Sequence, residues 1–326
     1  MEEPEEQIYH HGVSELPSAP LVLLSLMGFV VVGSGLGLAA FTAIQQLAGW
    51  EFNALQGGLR ADSPASERWP MRVLLLMSQL GTFVFAGWAT TWLFYRKGSL
   101  LGGSAAKGWA SYLRANRAPV FVTVLCGVLI MLAGAPFVLW LYELNKGLPL
   151  PDDLRGMEAN TAEVIKGLLQ METPAEFWFN LLLIGAAPAL GEEWVFRGIL
   201  QQQLMRLIRN PWVALLLSAA VFSFIHLQFE GFLPRMWLGL VLGWLYWKTQ
   251  HFWVPVVAHF ANNAVQVIGQ YLYRKQISSI NLENELHIPL YVASLSLAAV
   301  LWLAYKIIQM LDQPSPDPQA GQAHAD

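Results

Sequence analysis

Two adjacent glutamates, Glu192 and Glu193, precede Arg197 in ALGEEWVFRG, a segment that is otherwise largely apolar. His226, His259 and Asn263 follow in runs that are equally apolar. A carboxylate beside an imidazole is a general acid–base pair or half of a metal site. Residues four apart share a helix face, so Glu193 and Arg197 can pair. Glu192 is then rotated by about 100° and is left to face a cavity. Pro188, flanked by Gly185 and Gly191, removes a helix hydrogen bond and can kink the segment, which opens room for water. His259 and Asn263 are also four apart and offer neutral hydrogen-bond donors to an oxyanion formed from a carbonyl. Asn262 points elsewhere and reads as packing.

The surroundings make these residues informative. The chain has 326 residues, of which 55% are hydrophobic and only 13% charged. A soluble domain is about a quarter charged, so the composition is that of a membrane protein. A charge at a bilayer centre costs roughly 2.5–3.5 kcal/mol even on a lenient insertion scale. Five ionisable side chains in apolar runs therefore favour a functional site over a polar cluster that only locks helices together. The net charge of −4 gives no reason to expect nucleic acid. With a single cysteine, Cys126, no internal disulfide can form.

The elements that position the site read as helices. A spanning helix needs about 20 mostly apolar residues. Leu21–Trp50, Val73–Tyr95 and Ala118–Tyr142 carry no charge and read as spans one to three. Span four is Phe177 to Leu200, span five Asn210 to Phe229, and span six the short Met236 to Trp247. Arg235 and Lys248 can snorkel outward from that short span. Phe252–Tyr273 and Ile288–Tyr305 complete the set. The expected fold is an all-α polytopic membrane protein with about eight transmembrane helices. It divides into a cytoplasmic tail (1–20), three spans with an acidic loop (21–176), a four-helix catalytic core (177–273), a last span (274–310) and a disordered Pro-rich tail (311–326). NTAEVIKGLLQM, in the acidic loop, reads as a short interfacial helix. The basic loop between spans two and three belongs in the cytoplasm, although basic residues over the whole chain are almost evenly divided. Both termini are then cytoplasmic, and a bacterial inner (plasma) membrane is the expected location.

Spans four and five meet at RLIRNPW. Glu192 lies as far before Arg209 as His226 lies after it, so helical antiparallel arms bring the two to one height. Phe222 shares the face of His226 and forms a wall of the site. Ruler counting from the next turn puts His226 several ångströms deeper than His259, at 1.5 Å per residue. GSGLG at Gly33 to Gly37 has no strand before it, which excludes a nucleotide loop. Gly33 and Gly37 instead suit close helix packing. His251 and His287, at a span end and in a loop, need no functional reading.

Zinc proteases of the H-E-x-x-H type need a string that is absent, and aspartyl types need membrane aspartates that are also absent. Ser223 lies three before His226 but has no oxyanion-forming glycine loop. What survives is a carboxylate, two histidines and an asparagine. EEWVFR (Glu192–Arg197), FSFIH (Phe222–His226) and HFANN (His259–Asn263) resemble, in order, the E-E-x-x-x-R, F-x-x-x-H and H-x-x-x-N/B motifs of the CPBP family. That family comprises CAAX prenyl endopeptidases and bacteriocin-processing enzymes, also called Abi proteins. The resemblance covers roughly Phe177 to Tyr273.

The resemblance implies an endopeptidase for lipidated or membrane-delivered peptide or protein substrates, in contact with membrane lipid. It implies that Glu192 with His226 activates water, that His259 and Asn263 stabilise the oxyanion, and that Glu193, Arg197 and Phe222 support the site. The cofactor is either none or Zn²⁺, held in that case by Glu192, His226 and His259 with an open position. The bare reading is preferred, because Glu192 and His226 suffice for the water. A proton- or ion-coupled transporter and an inactive immunity or binding protein of the same fold are the alternatives. Neither natural substrate nor oligomeric state is readable.

Overall fold

A computed structural model of the chain describes residues 16–51, 59–99, 101, 108–278 and 287–312. The expected tails lie almost wholly outside the described residues. Among those described, every element is helical.

The first rod is α1 (Ala19–Ala48). The second runs through α2 (Ala65–Gln79), a π-helical turn at Leu80–Phe85, and α3 (Ala86–Tyr95). It begins eight residues before the boundary read from sequence, because its first turns carry Arg68 and Arg72, both buried. A short turn, α4 (Trp109–Tyr112), precedes α5 (Phe121–Ala133) and α6 (Ala135–Lys146). The break at Gly134 falls two residues before Pro136, whose ring nitrogen cannot continue the hydrogen-bond ladder. The interfacial helix expected in the acidic loop is α7 (Asp152–Leu168), longer than the sequence reading.

The fourth rod is α8 (Pro174–Asn180), a π-helical turn at Leu181–Ala186, α9 (Ala187–Val195), a second such turn at Phe196–Gln201, and α10 (Gln202–Ile208). Thr173 and Glu176 form a capping box at its start. Then come α11 (Pro211–Phe224), α12 (Phe232–Thr249), α13 (Trp253–Arg274) and α14 (Leu290–Leu311). The rods 19–48, 65–95, 121–146 and 290–311 are long and apolar enough to cross a bilayer. The four rods between residues 174 and 274 include the polar one and the short one. At 14 residues, α11 is about 21 Å long, less than the roughly 30 Å of bilayer hydrocarbon.

Hydrogen bonds gather the loops at each end of the bundle. At one end, Arg68 and Arg72 both donate to Glu176, Arg72 also reaches the carbonyls of Leu168 and Gln170, and Lys275 reaches Glu172. Burial alone would raise the Glu176 carboxyl. Donation from Arg72 and from the N–H groups of Glu172 and Thr173, with the Arg72 charge, outweighs burial and holds it at about 2. At the other end, Gln203 bonds both Tyr95 and Tyr112, and His251 meets the carbonyl of Arg117. His251 is thus a structural tie.

Glycines let the first two rods touch. A Cβ at Gly33 would drive into the carbonyl of Gly81, and one at Gly37 into that of Met77. GSGLG is a helix contact.

Candidate functional site

Glu192, Glu193 and Arg197 are all buried, on α9 and the π-helical turn that follows it. Arg197 Nη1 donates to Glu193 Oε1 at 2.8 Å, the pairing that the spacing implied. Arg197 Nη2 donates to the carbonyl of Gly239 on α12 at 3.0 Å. Its guanidinium carbon lies 4.8 Å from the centroid of Phe222, a cation–π contact in a dry setting.

Glu193 has a second partner that spacing did not reveal. His259 Nδ1 donates to the same Oε1 at 2.8 Å. One carboxylate oxygen thus joins the guanidinium on its own rod to the imidazole on α13. Oε2 of Glu193 has no hydrogen-bond partner and is closed to water. The Nε2 of His259 turns the other way, 4.0 Å from Oε2 of Glu192. That is beyond hydrogen-bond reach, so both groups can meet a third atom.

His226 lies just past the end of α11. The helix stops at Phe224, and Leu227 takes a left-handed φ of 51°. Ser223, the rejected nucleophile, is buried and donates to the carbonyl of Phe232 at 2.7 Å, which ties the turn shut. His226 Nδ1 is 2.7 Å from the carbonyl oxygen of Phe222. A carbonyl only accepts, so Nδ1 carries the hydrogen and the neutral ring has its lone pair on Nε2.

Phe222 joins the three elements. Its ring centroid is 5.1 Å from that of His226 and 6.2 Å from that of His259, edge-on to both. The depth difference obtained by counting residues thus does not separate the two imidazoles by more than one aromatic ring. Phe222 is also edge-on to Phe196 at 5.1 Å.

Asn263 follows from a backbone defect. Pro188 has no N–H, so the carbonyl four residues earlier, that of Ile184, loses its helical donor. Asn263 Nδ2 donates to that oxygen at 2.9 Å. Asn262, read as packing, donates to Asn263 Oδ1 at 3.1 Å. The asparagine amide is therefore fixed on both sides, with one Nδ2 hydrogen not assigned by these bonds. The π-helical turns on either side of α9 carry Ile184 and Arg197 and offset their faces from those of a continuous α-helix. Such turns are frequent at functional sites.

Three motif helices thus converge: α9 with its π-helical extension, the end of α11, and α13. Both histidines have Nδ1 engaged, an arrangement known for fixing the tautomer of metal-ligating rings. Among the described residues, however, no three His, Cys, Asp or Glu side chains are disposed to hold one metal ion. Glu192, His226 and His259 are not gathered around one point in this arrangement. What they can do is hold and move a proton next to fixed hydrogen-bond donors.

A family model described as Type II CAAX prenyl endopeptidase Rce1-like matches residues 174–265. The matched stretch contains every candidate residue named above, from α8 into α13. It is similar to the endopeptidase family that the three motifs resemble. No curated protein and no solved structure matches the chain.

Proposed function

We propose that the chain is an intramembrane endopeptidase that hydrolyses a peptide bond in a membrane-associated or C-terminally lipidated, CAAX-type substrate. Residues 177–273 form its catalytic core. The observation that carries the reading is His259 held between two carboxylates, with Nδ1 on Glu193 and Nε2 turned toward Glu192. The match over residues 174–265 supports the same class. The basic loop between spans two and three, taken with eight crossings, supports both termini facing the cytoplasm, and a bacterial inner membrane is the location proposed.

In this mechanism Glu192 is the general base. His226, with its lone pair on Nε2, accepts a hydrogen bond from a water molecule and orients it, while Glu192 removes the other proton, so that the attacking oxygen keeps one hydrogen. The water oxygen bonds to the scissile carbonyl carbon, and the carbonyl electron pair moves onto its oxygen. Nε2–H of His259 and the second Nδ2–H of Asn263 receive that oxyanion. Donation from Nε2 requires protons on both nitrogens of His259, since Nδ1 already donates to Glu193. Glu192 then passes its proton to the amide nitrogen as the C–N bond breaks, leaving an acid and an amine. Glu193, Arg197 and Phe222 act by holding His259 and His226 in place.

The test is purified protein in nanodiscs with an S-prenylated CAAX peptide, followed by mass spectrometry of the products. Cleavage that disappears in Glu192→Gln supports the reading. Absence of cleavage by the unmodified protein across prenylated and plain membrane peptides contradicts it.

A further inference from the structure

Arg235 is a charge near the site that the mechanism does not use. It lies in the second turn of α12, close to the positive end of the helix dipole, where a cation is disfavoured. Its guanidinium lies flat against Gly231, where a Cβ would collide with it. Nη1 donates to Gln228 Oε1 at 2.7 Å, and Nη2 donates to the Gln228 carbonyl. Nε is closed to water and has no hydrogen-bond partner. An arginine carries five N–H donors in a fixed fork, and Gln228 accounts for two of them.

No carboxylate of the described residues is within 4.0 Å of this guanidinium. The neighbouring acids make their hydrogen bonds with other groups. Glu158 Oε1, on α7, accepts from the N–H of Glu230 at 3.1 Å, and Glu230 Oε2 is 3.5 Å from the Tyr142 hydroxyl. Arg197, the guanidinium of the site itself, is taken up by Glu193 and Gly239 and covered by Phe222. Arg235 reaches back to Gln228, two residues after His226.

We propose that Arg235 receives the C-terminal carboxylate of the substrate. The inference rests on the endopeptidase reading, because a substrate cut close to its C-terminus brings a free carboxylate into the site with it. That anion needs a cation where water is scarce, and the guanidinium fork matches a carboxylate in two parallel hydrogen bonds. The same contact uses the two Nη hydrogens that Gln228 leaves open. Arg235 is then a specificity residue, which reads the chain end while Glu192 and His226 act on the peptide bond.

The experiment uses the full-length protein in nanodiscs and two fluorescent S-prenylated CAAX peptides, one a free acid and one a C-terminal amide. Binding is measured on Glu192→Gln, which cannot turn the peptides over, and cleavage on the unmodified protein. The acid is expected to bind at least about tenfold tighter than the amide, the scale of a hydrogen bond to a charged group. In Arg235→Gln, made in the Glu192→Gln background, that ratio falls toward one. Arg235→Lys keeps the charge without the fork and restores part of the ratio. Equal binding of the two peptides to Glu192→Gln overturns the proposal. So does a ratio that persists in Arg235→Gln, or equal loss of both peptides there, which is what a purely structural arginine gives. If the acid is preferred but the unmodified protein cleaves neither peptide, the endopeptidase reading fails and the Arg235 site stands. Cleavage of both without preference gives the reverse.

Discussion

His259 donates from Nδ1 to Oε1 of Glu193 at 2.8 Å, and Arg197 donates to that same oxygen from the other side at 2.8 Å. One buried carboxylate oxygen therefore joins two helices and sets the direction of an imidazole. Breaking a buried pair by removing one partner costs about 3–5 kcal/mol, because the remaining charge is uncompensated. Glu193→Ala should lower both the thermal midpoint in detergent and the activity. Removing both partners, in Glu193→Ala with Arg197→Met, should cost less than the sum of the single changes. A thermal double-mutant cycle measures this, and strict additivity would count against the shared oxygen.

The tie between Asn263 and Ile184 depends on Pro188. Pro188→Ala supplies the missing N–H and gives the Ile184 carbonyl a helical donor. Asn263 then loses its fixed acceptor. The expectation is a thermal midpoint that holds or rises, with kcat lower by at least about tenfold, a small fraction of what a full oxyanion donor supplies. A variant with unchanged kcat would show that Asn263 does not need this anchor.

The pair formed by Arg72 and Glu176 predicts an acid limb in stability. The Glu176 carboxyl is depressed from 4.5 to about 2 in the folded chain. A depressed carboxylate contributes stability that is complete above its unfolded value and is lost as pH falls through its folded value. Thermal midpoints should therefore decline between about pH 4.5 and pH 2. Glu176→Gln should be less stable at neutral pH and should flatten that part of the curve. Parallel midpoint–pH profiles for the two proteins would remove the assignment.

Chelation tests the preference for a bare water. No three ligands converge among the described residues, and the mechanism uses only side chains. Prolonged dialysis against a strong chelator should leave cleavage intact, with substoichiometric metal by mass spectrometry. Activity lost on chelation and restored by zinc would require the three side chains to draw together around an ion.

Much of this site could be read before the fold was known, and the remainder had specific physical reasons for being hidden. The Glu193–Arg197 pair follows from spacing along one helix, and so does the shared face of Phe222 and His226. The bond from Glu193 to His259 crosses helices, where spacing carries no information. The hairpin count assumed that His226 stands on a helix, but α11 ends two residues earlier, at Phe224. The three π-helical turns have no composition that marks them. The Arg68, Arg72 and Glu176 cluster went unread because charges at the edge of an apolar run look solvated. Its signal was present as two pairs at helical spacing, Arg68 with Arg72 and Glu176 with Asn180, facing each other at one end of the bundle.

The central claim is that Glu192 is the base that activates water. Its most direct test is single-turnover cleavage of an S-prenylated CAAX peptide by Glu192→Gln and the unmodified protein, both folded by thermal midpoint. The account predicts a loss of about 10²–10⁴-fold in the rate of bond cleavage, the usual range for general acid–base catalysis, with peptide binding retained. Cleavage by Glu192→Gln at the unmodified rate would contradict it.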